Sequence, residues 1–317
     1  YAGSRWSEDG WVEVDATWME EIAYPETNDY LNYLSFGSPI ADPDIALDGG
    51  STGTGSYEDC VWQHYQSQRF GNQFVVDLWD HRKSNTSEEM IDSYEAVLLD
   101  YGMDLVTAWT EFTTWNFATG VRDLTDDGYA EAEIYPTGSA QRTVYSYPST
   151  YNGSVTRLAA NFIRCLYVDE PGKRIRVTLD GSDDARMTLG VVVNESYATN
   201  AGTMYFVDLD ANNDAVYEVP YDLEGVYSVG IVVGNANKTG VNRSYSLEIE
   251  KVDATTTAAS DVAAALAITG NHPNPFNPST AIAFALGGTA ATQLDIYDRS
   301  GRKVRTLVDT TLDAGQH

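Results

Sequence analysis

Along this chain the apolar positions change their period once. Trp11, Val14, Trp18 and Ile22 recur at helical spacing and predict one apolar stripe on a first helix, with Ser7 or Asp9 capping its start and Pro25 stopping it. Asp29 to Phe36 predicts a short amphipathic piece, and Gly37 to Ser56 a loop rich in Gly, Ser and Asp. Further helices are predicted over Tyr57–Phe70, ended by Gly71, from Phe74 to His81, from Ser87-Glu88-Glu89 to Gly102, and over Met103–Phe117. In the last of these, Trp109, Phe112 and Trp115 stand three apart on one face, the pattern of core packing.

From about residue 138 the period becomes two. Runs at Arg142–Tyr147, Val155–Tyr167, Arg174–Leu179, Arg186–Val193, Thr203–Leu209, Ala215–Val219, Tyr227–Val233 and Ser244–Val252 alternate between turn residues. They predict an antiparallel β-sandwich. Ala254 to Ala267 reads as a Thr/Ala-rich linker, and apolar runs resume at Ile282 and Leu294. The fold class is therefore α+β and multidomain. We expect a helical subdomain over 1–137, a β-sandwich (jelly-roll or Ig-like) over 138–253, a linker over 254–269 and an incomplete Ig-like β domain over 270–317.

Charge narrows the partners. The 317 residues carry 47 acidic and 19 basic side chains, net −28. Phosphate backbones and anionic membrane surfaces are repelled by such a chain, so nucleic acid is excluded as a partner. No apolar run approaches the ~18 residues of a membrane span. The two cysteines, Cys60 and Cys165, lack metal-ligand spacing; they form either one disulfide in an oxidising compartment or two buried thiols.

Carboxylates supply the metal candidates. Glu13, near the first turn of the first helix, is either a zinc ligand or a solvated glutamate favoured by the helix dipole. Asp208, Asp210, Asn212 and Asp214 alternate along a loop between two strands. Oxygens at that spacing suit calcium, but Asn213 and Val219 stand where an EF-hand needs Gly and Glu. The other reading is an acidic hairpin turn. His64 and His81 are seventeen apart and on separate helices, so they form no zinc pair; His64 reads as a packed imidazole and His81 as a cation at a helix end. Asn85, Asn152, Asn194, Asn237 and Asn242 each open an Asn-x-Ser/Thr triplet, either glycan acceptors in a secreted protein or chance occurrences.

Three stretches carry a resemblance. Glu13-Val14-Asp15-Ala16-Thr17-Trp18-Met19-Glu20 with Tyr24-Pro25-Glu26-Thr27-Asn28-Asp29-Tyr30, then Tyr57, Trp62-Gln63-His64-Tyr65 and Arg69-Phe70-Gly71, then Glu111-Phe112 and Trp115-Asn116-Phe117-Ala118-Thr119-Gly120-Val121-Arg122, resemble the C-terminal portion of secreted bacterial zinc metallopeptidases of gluzincin type. The resemblance covers roughly 1–137 and implies that Glu13 is the third zinc ligand, beside two imidazoles of a His-Glu-x-x-His helix. No His-Glu-x-x-His occurs in the sequence. Zinc would then require upstream ligands, and this polypeptide is expected to be inactive by itself.

Asn271-His272-Pro273-Asn274-Pro275-Phe276-Asn277-Pro278-Ser279-Thr280, followed by Leu294-Asp295-Ile296-Tyr297-Asp298 and Gly301-Arg302-Lys303-Val304, resembles a C-terminal secretion-sorting Ig-like domain. That family continues with further strands. The resemblance implies export by a secretion machinery, a secreted or cell-surface location, and an open β edge that a second copy could fill to build a filament. Three functions stand: a metallopeptidase portion, a non-catalytic surface or filament subunit, and a glycan-binding sandwich module.

Overall fold

Among the described residues, five α-helices come first. They are α1 (Asp9–Ala23), α2 (Cys60–Phe70), α3 (Gln73–Ser84), α4 (Met90–Asp100) and α5 (Leu105–Phe117). This is a computed structural model, and it describes residues 9–48, 57–125, 127–240, 242–254, 267–272, 281–286, 289–297, 303–312 and 315–316. The turn chemistry follows the sequence. Gly71 ends α2 at φ +87° and Gly102 follows α4 at φ +80°, conformations that a side chain disfavours. The Asp104 carboxylate caps α5 by accepting from Thr107 N at 2.7 Å.

Among the described residues, nine strands follow in the same compact unit, which spans Tyr1–Ala254. They are β1 (Arg142–Val144), β2 (Ser149–Val155), β3 (Ala159–Leu166), β4 (Lys173–Gly181), β5 (Met187–Ser196), β6 (Ala201–Val207), β7 (Ala215–Glu218), β8 (Ser228–Asn235) and β9 (Arg243–Asp253). One sheet has the order β1-β3-β8-β5-β6 and the other β2-β9-β4-β7. The pairing is antiparallel apart from β1 alongside β3. Ile163, Val191, Val229 and Ile231 of the first sheet share a core with Ile175, Val177, Leu179, Leu247 and Ile249 of the second. The fold is α+β.

The central strands of the five-stranded sheet, β3, β8 and β5, are buried on both faces. The sheet's outer face, through Ala160, Phe162, Val192 and Val232, packs on Phe117 and Ala118 at the end of α5. This is why every residue of β8 is buried, while β4 alternates. Close approach of α5 depends on glycine: a Cβ on Gly190 would lie 1.9 Å from Thr114 Oγ1, and one on Gly230 2.1 Å from the Phe117 ring. The helices therefore share an apolar layer with the sheet.

Two local expectations change. Val155–Tyr167 is two strands in different sheets, β2 ending at Val155 and β3 beginning at Ala159, with Leu158 at φ +48° between them. Ile22 does not continue the stripe of α1; Trp11, Val14 and Trp18 are buried, but Ile22 is 41% exposed because the packing ends a turn earlier.

The second unit, Thr255–His317, contains β10 (Ala267–His272), β11 (Ala281–Leu286), β12 (Ala290–Tyr297), β13 (Lys303–Leu312) and β14 (Gly315–Gln316). The orders are β10-β11-β14 and β12-β13. The proline-rich segment Pro273–Thr280 lies outside the described residues.

Candidate functional site

Glu13 sits half-buried on α1. Its charge pushes the Tyr57 phenol upward in pKa, and its carboxylate accepts that phenol's hydrogen bond. Among the described residues no three His, Cys, Asp or Glu side chains converge as a metal shell, so Glu13 has no companion ligands among them. The imidazole of α2, the helix packed on α1, is used otherwise. His64 is buried and stacks on Tyr30 at 4.5 Å between ring centroids, and burial pushes its pKa down to about 4. His81, in the last turn of α3, meets Glu88 Oε2 at 3.0 Å.

What the sequence did not reveal is a polar layer between α1 and α2. Cys60 through Ser67 are all buried. Trp18 Nε1 donates to Ser67 Oγ at 2.9 Å and the Tyr94 hydroxyl to Gln63 Oε1 at 2.7 Å. Trp79 Nε1 donates to Asp15 Oδ2. Asp15 Oδ1, Gln63 Nε2, His64 Nε2 and both polar atoms of the fully buried Gln66 have no protein partner. Desolvation raises the Asp15 carboxyl to about 7, opposed by the Trp79 hydrogen bond. The signal available in the sequence was Gln63-His64-Tyr65-Gln66-Ser67-Gln68, a helix without an apolar stripe of its own.

The motif that carries the resemblance proves to be built for packing. Arg69 Nε lies 2.8 Å from Glu111 Oε2, which also accepts from the Tyr65 hydroxyl at 3.0 Å. The Arg122 guanidinium lies 4.0 Å over the Phe117 ring and donates to Gly138 O at 2.6 Å. Thr119 Oγ1 donates to Pro136 O at 2.8 Å.

In the Asp208–Asp214 loop the carboxylates of Asp210 and Asp214 meet backbone amides. Asp210 Oδ1 accepts from Asn212 N and Asp214 N at 2.8 and 3.0 Å, and Asp214 Oδ1 accepts from Gly181 N at 3.1 Å. Asp208 and Asn212 are exposed. The carboxylates thus stabilise the turn itself. The turn is not a hairpin, because β6 pairs with β5 and β7 with β4, so it crosses between sheets. Asn213, at φ +65°, holds it by donating to Ser182 O and Ala185 O at 2.9 Å each.

Cys60 lies in the helical core and Cys165 between the two sheets. Both are buried and free, so no disulfide joins them. Three of the Asn-x-Ser/Thr positions are engaged or covered. Asn194 is 1% exposed and donates to Arg122 O at 3.1 Å, Asn85 donates to His81 O at 3.0 Å, and the Asn237 amide nitrogen is buried. A glycan on Asn194 would require the core to open. Asn152 and Asn242 are exposed.

Asn152 and Asn242 line a cleft of about 990 Å³ at the end of the sandwich where β2, β9 and β4 meet. The Asn161 amide at its base donates to Ser154 O and to the Tyr245 hydroxyl, both at 2.9 Å.

No helix among the described residues is long and apolar enough to cross a membrane. No protein-family model matches the chain, and no curated protein matches it. Solved structures match parts of it. PliG of Aeromonas hydrophila, a periplasmic lysozyme inhibitor of g-type lysozyme, is 17% identical over 35% of this chain and 100% of its own, with a TM-score of 0.24. The IMPa metallopeptidase in complex with T-antigen is 14% identical over 56% of this chain and 24% of its own, TM-score 0.20. A family GH115 4-O-methyl-alpha-glucuronidase with specificity for decorated arabinogalactans is 10% identical over 73% of this chain and 34% of its own, TM-score 0.21. The chain thus spans about a quarter and a third of the latter two proteins, and likenesses this distant assign neither family nor activity.

Proposed function

We propose that this chain is part of an extracellular or cell-surface protein derived from a secreted gluzincin-type metallopeptidase scaffold, and that it is catalytically inactive by itself. The observation that carries the reading is the use made of its would-be ligands. Glu13 is held by the Tyr57 phenol, and His64 is a buried ring stacked on Tyr30 and held neutral. The Trp-Asn-Phe-x-Thr-Gly-x-Arg stretch that carries the resemblance ties α5 to the loop after it, which is a scaffold role.

Elemental analysis of the purified full chain, with a peptide-hydrolysis assay beside it, tests this. The expected result is no stoichiometric zinc and no cleavage. Stoichiometric zinc that is lost in Glu13→Ala, together with cleavage, overturns the reading.

A second reading is a surface or filament subunit that assembles by strand addition. It is favoured by the ribbon of β12 and β13, which among the described residues pair only with each other. Open strand edges template further pairing. Electron microscopy of concentrated protein decides between a subunit that polymerises and one that does not.

A further inference from the structure

The cleft at the sandwich end has a chemistry that selects its ligand. Its floor is a set of cross-strand rows. Asn152, Ser246 and Asp180 stand opposite one another across β2, β9 and β4, and Ser154 faces Ser244 in the next row. These are amides, hydroxyls and one carboxylate, spaced as neighbouring residues of a sheet are. The base is prebuilt. Asn161 is 4% exposed and its two hydrogen bonds fix both the β2 backbone at Ser154 and the ring of Tyr245. Gly153 lets β2 sink onto that ring, since a Cβ there would lie 2.6 Å from it. Tyr151 also lines the cleft, on the inward side of β2, where the Arg142 guanidinium lies 4.9 Å and Tyr245 6.0 Å from its ring.

No lysine or arginine is among the described residues that line the cleft, whereas Asp44 and Asp180 are. Phosphates, sulfates and uronates would meet the carboxylates of Asp44 and Asp180 with no cation in the lining, in a chain already at −28. An apolar ligand would strand the amides and hydroxyls without partners. A ligand whose hydroxyls both donate and accept satisfies Asn, Ser and Asp together. The volume is at the upper end of the roughly 300–1,000 Å³ of small-molecule sites, so the match is to several linked rings.

We propose that this cleft binds a neutral oligosaccharide. The proposal does not rest on the peptidase-scaffold reading and survives its failure.

The test is an array of neutral and acidic oligosaccharides probed with the full chain, followed by calorimetry with the strongest neutral hit. Neutral oligosaccharides bind and acidic ones do not. Ser246→Trp fills the floor and abolishes binding. Asn152→Ala removes one amide and weakens it about tenfold, the loss expected for a hydrogen-bonding group facing ligand. Phe206→Ser, on the exposed part of β6, leaves affinity unchanged. Thermal melts establish that each variant is folded, and if Ser246→Trp does not fold, Asn152→Ala and Asp180→Asn carry the test. Absence of any neutral hit at millimolar ligand, preference for acidic saccharides, or affinity unchanged in the folded cleft variants overturns the proposal.

Discussion

The ring of Tyr30 lies on the imidazole of His64, centroids 4.5 Å apart and planes 30° from parallel. The Tyr30 hydroxyl in turn lies 2.8 Å from Glu131 Oε2 and 3.2 Å from the Tyr135 hydroxyl. The stack commits the imidazole of α2 to packing as a neutral ring.

That neutrality has a pH signature. The folded His64 titrates at about 4 and the unfolded one at 6.5. Between these values the unfolded chain binds more protons, so the His64 contribution is complete above 6.5 and is lost as pH falls towards 4, by on the order of 3 kcal/mol. Asp15 acts oppositely. Its carboxyl stays protonated up to about 7 in the fold and to 3.8 in the unfolded chain, so stability is lost as pH rises through that window, by on the order of 4 kcal/mol. Urea unfolding at pH 4 and pH 7 separates the two. Relative to the parent chain, Asp15→Asn gains stability with rising pH, and His64→Gln loses it. Variants that run parallel to the parent would show that neither group is perturbed.

The seat of α5 on the five-stranded sheet predicts steric costs. Gly230→Ala drives a methyl into the Phe117 ring and is expected to cost about 1–3 kcal/mol in urea unfolding. Gly190→Ala meets Thr114 Oγ1, and the double variant Gly190→Ala with Thr114→Ala recovers part of the loss. An unchanged midpoint in both single variants would refute this packing.

Arg122 is 2% exposed, stacked on Phe117 and donating to Gly138 O. Burial lowers its pKa to about 10, so it remains charged at neutral pH. Lysine keeps the charge and loses the planar fork. Arg122→Lys is therefore expected to cost about 2–3 kcal/mol, and Arg122→Met less, because an apolar isostere buries no ammonium. A lysine variant as stable as the parent contradicts the assigned role.

Burial pushes the Cys165 thiol up to about 12 and the Cys60 thiol well above its usual value. Neither is a thiolate at neutral pH. Native protein should react with no thiol reagent, and protein in guanidinium without reductant should titrate two thiols per chain. Finding none in guanidinium would mean that the two are bonded to each other.

Much of the local structure was legible because local signals and tertiary demands agree. Gly71 and Gly102 follow their helices at positive φ, Gly71 with an extended ψ of 160° instead of the left-handed cap its position suggested. The aromatic face of α5 is core, with Trp109 and Phe112 buried. The first strand of the four-stranded sheet was missed because Ser149-Thr150-Tyr151-Asn152-Gly153-Ser154 has few β-formers, and its pairing with β9 overrides that composition. The polar layer of α2 was equally hidden, since a helix buried on all sides has no periodicity to read.

By itself the sequence determined the switch from helical to strand period, the position of most turns and the absence of a His-Glu-x-x-His pair, because period, glycine and motif are properties of neighbouring residues. Only the tertiary structure decided that Glu13 faces Tyr57, that Cys60 and Cys165 lie in different cores, and that Asn152, Ser246 and Asp180 stand in one row. Those pairs are separated by tens to about a hundred residues, and which of them meet is set by how sheets and helices bury their apolar faces.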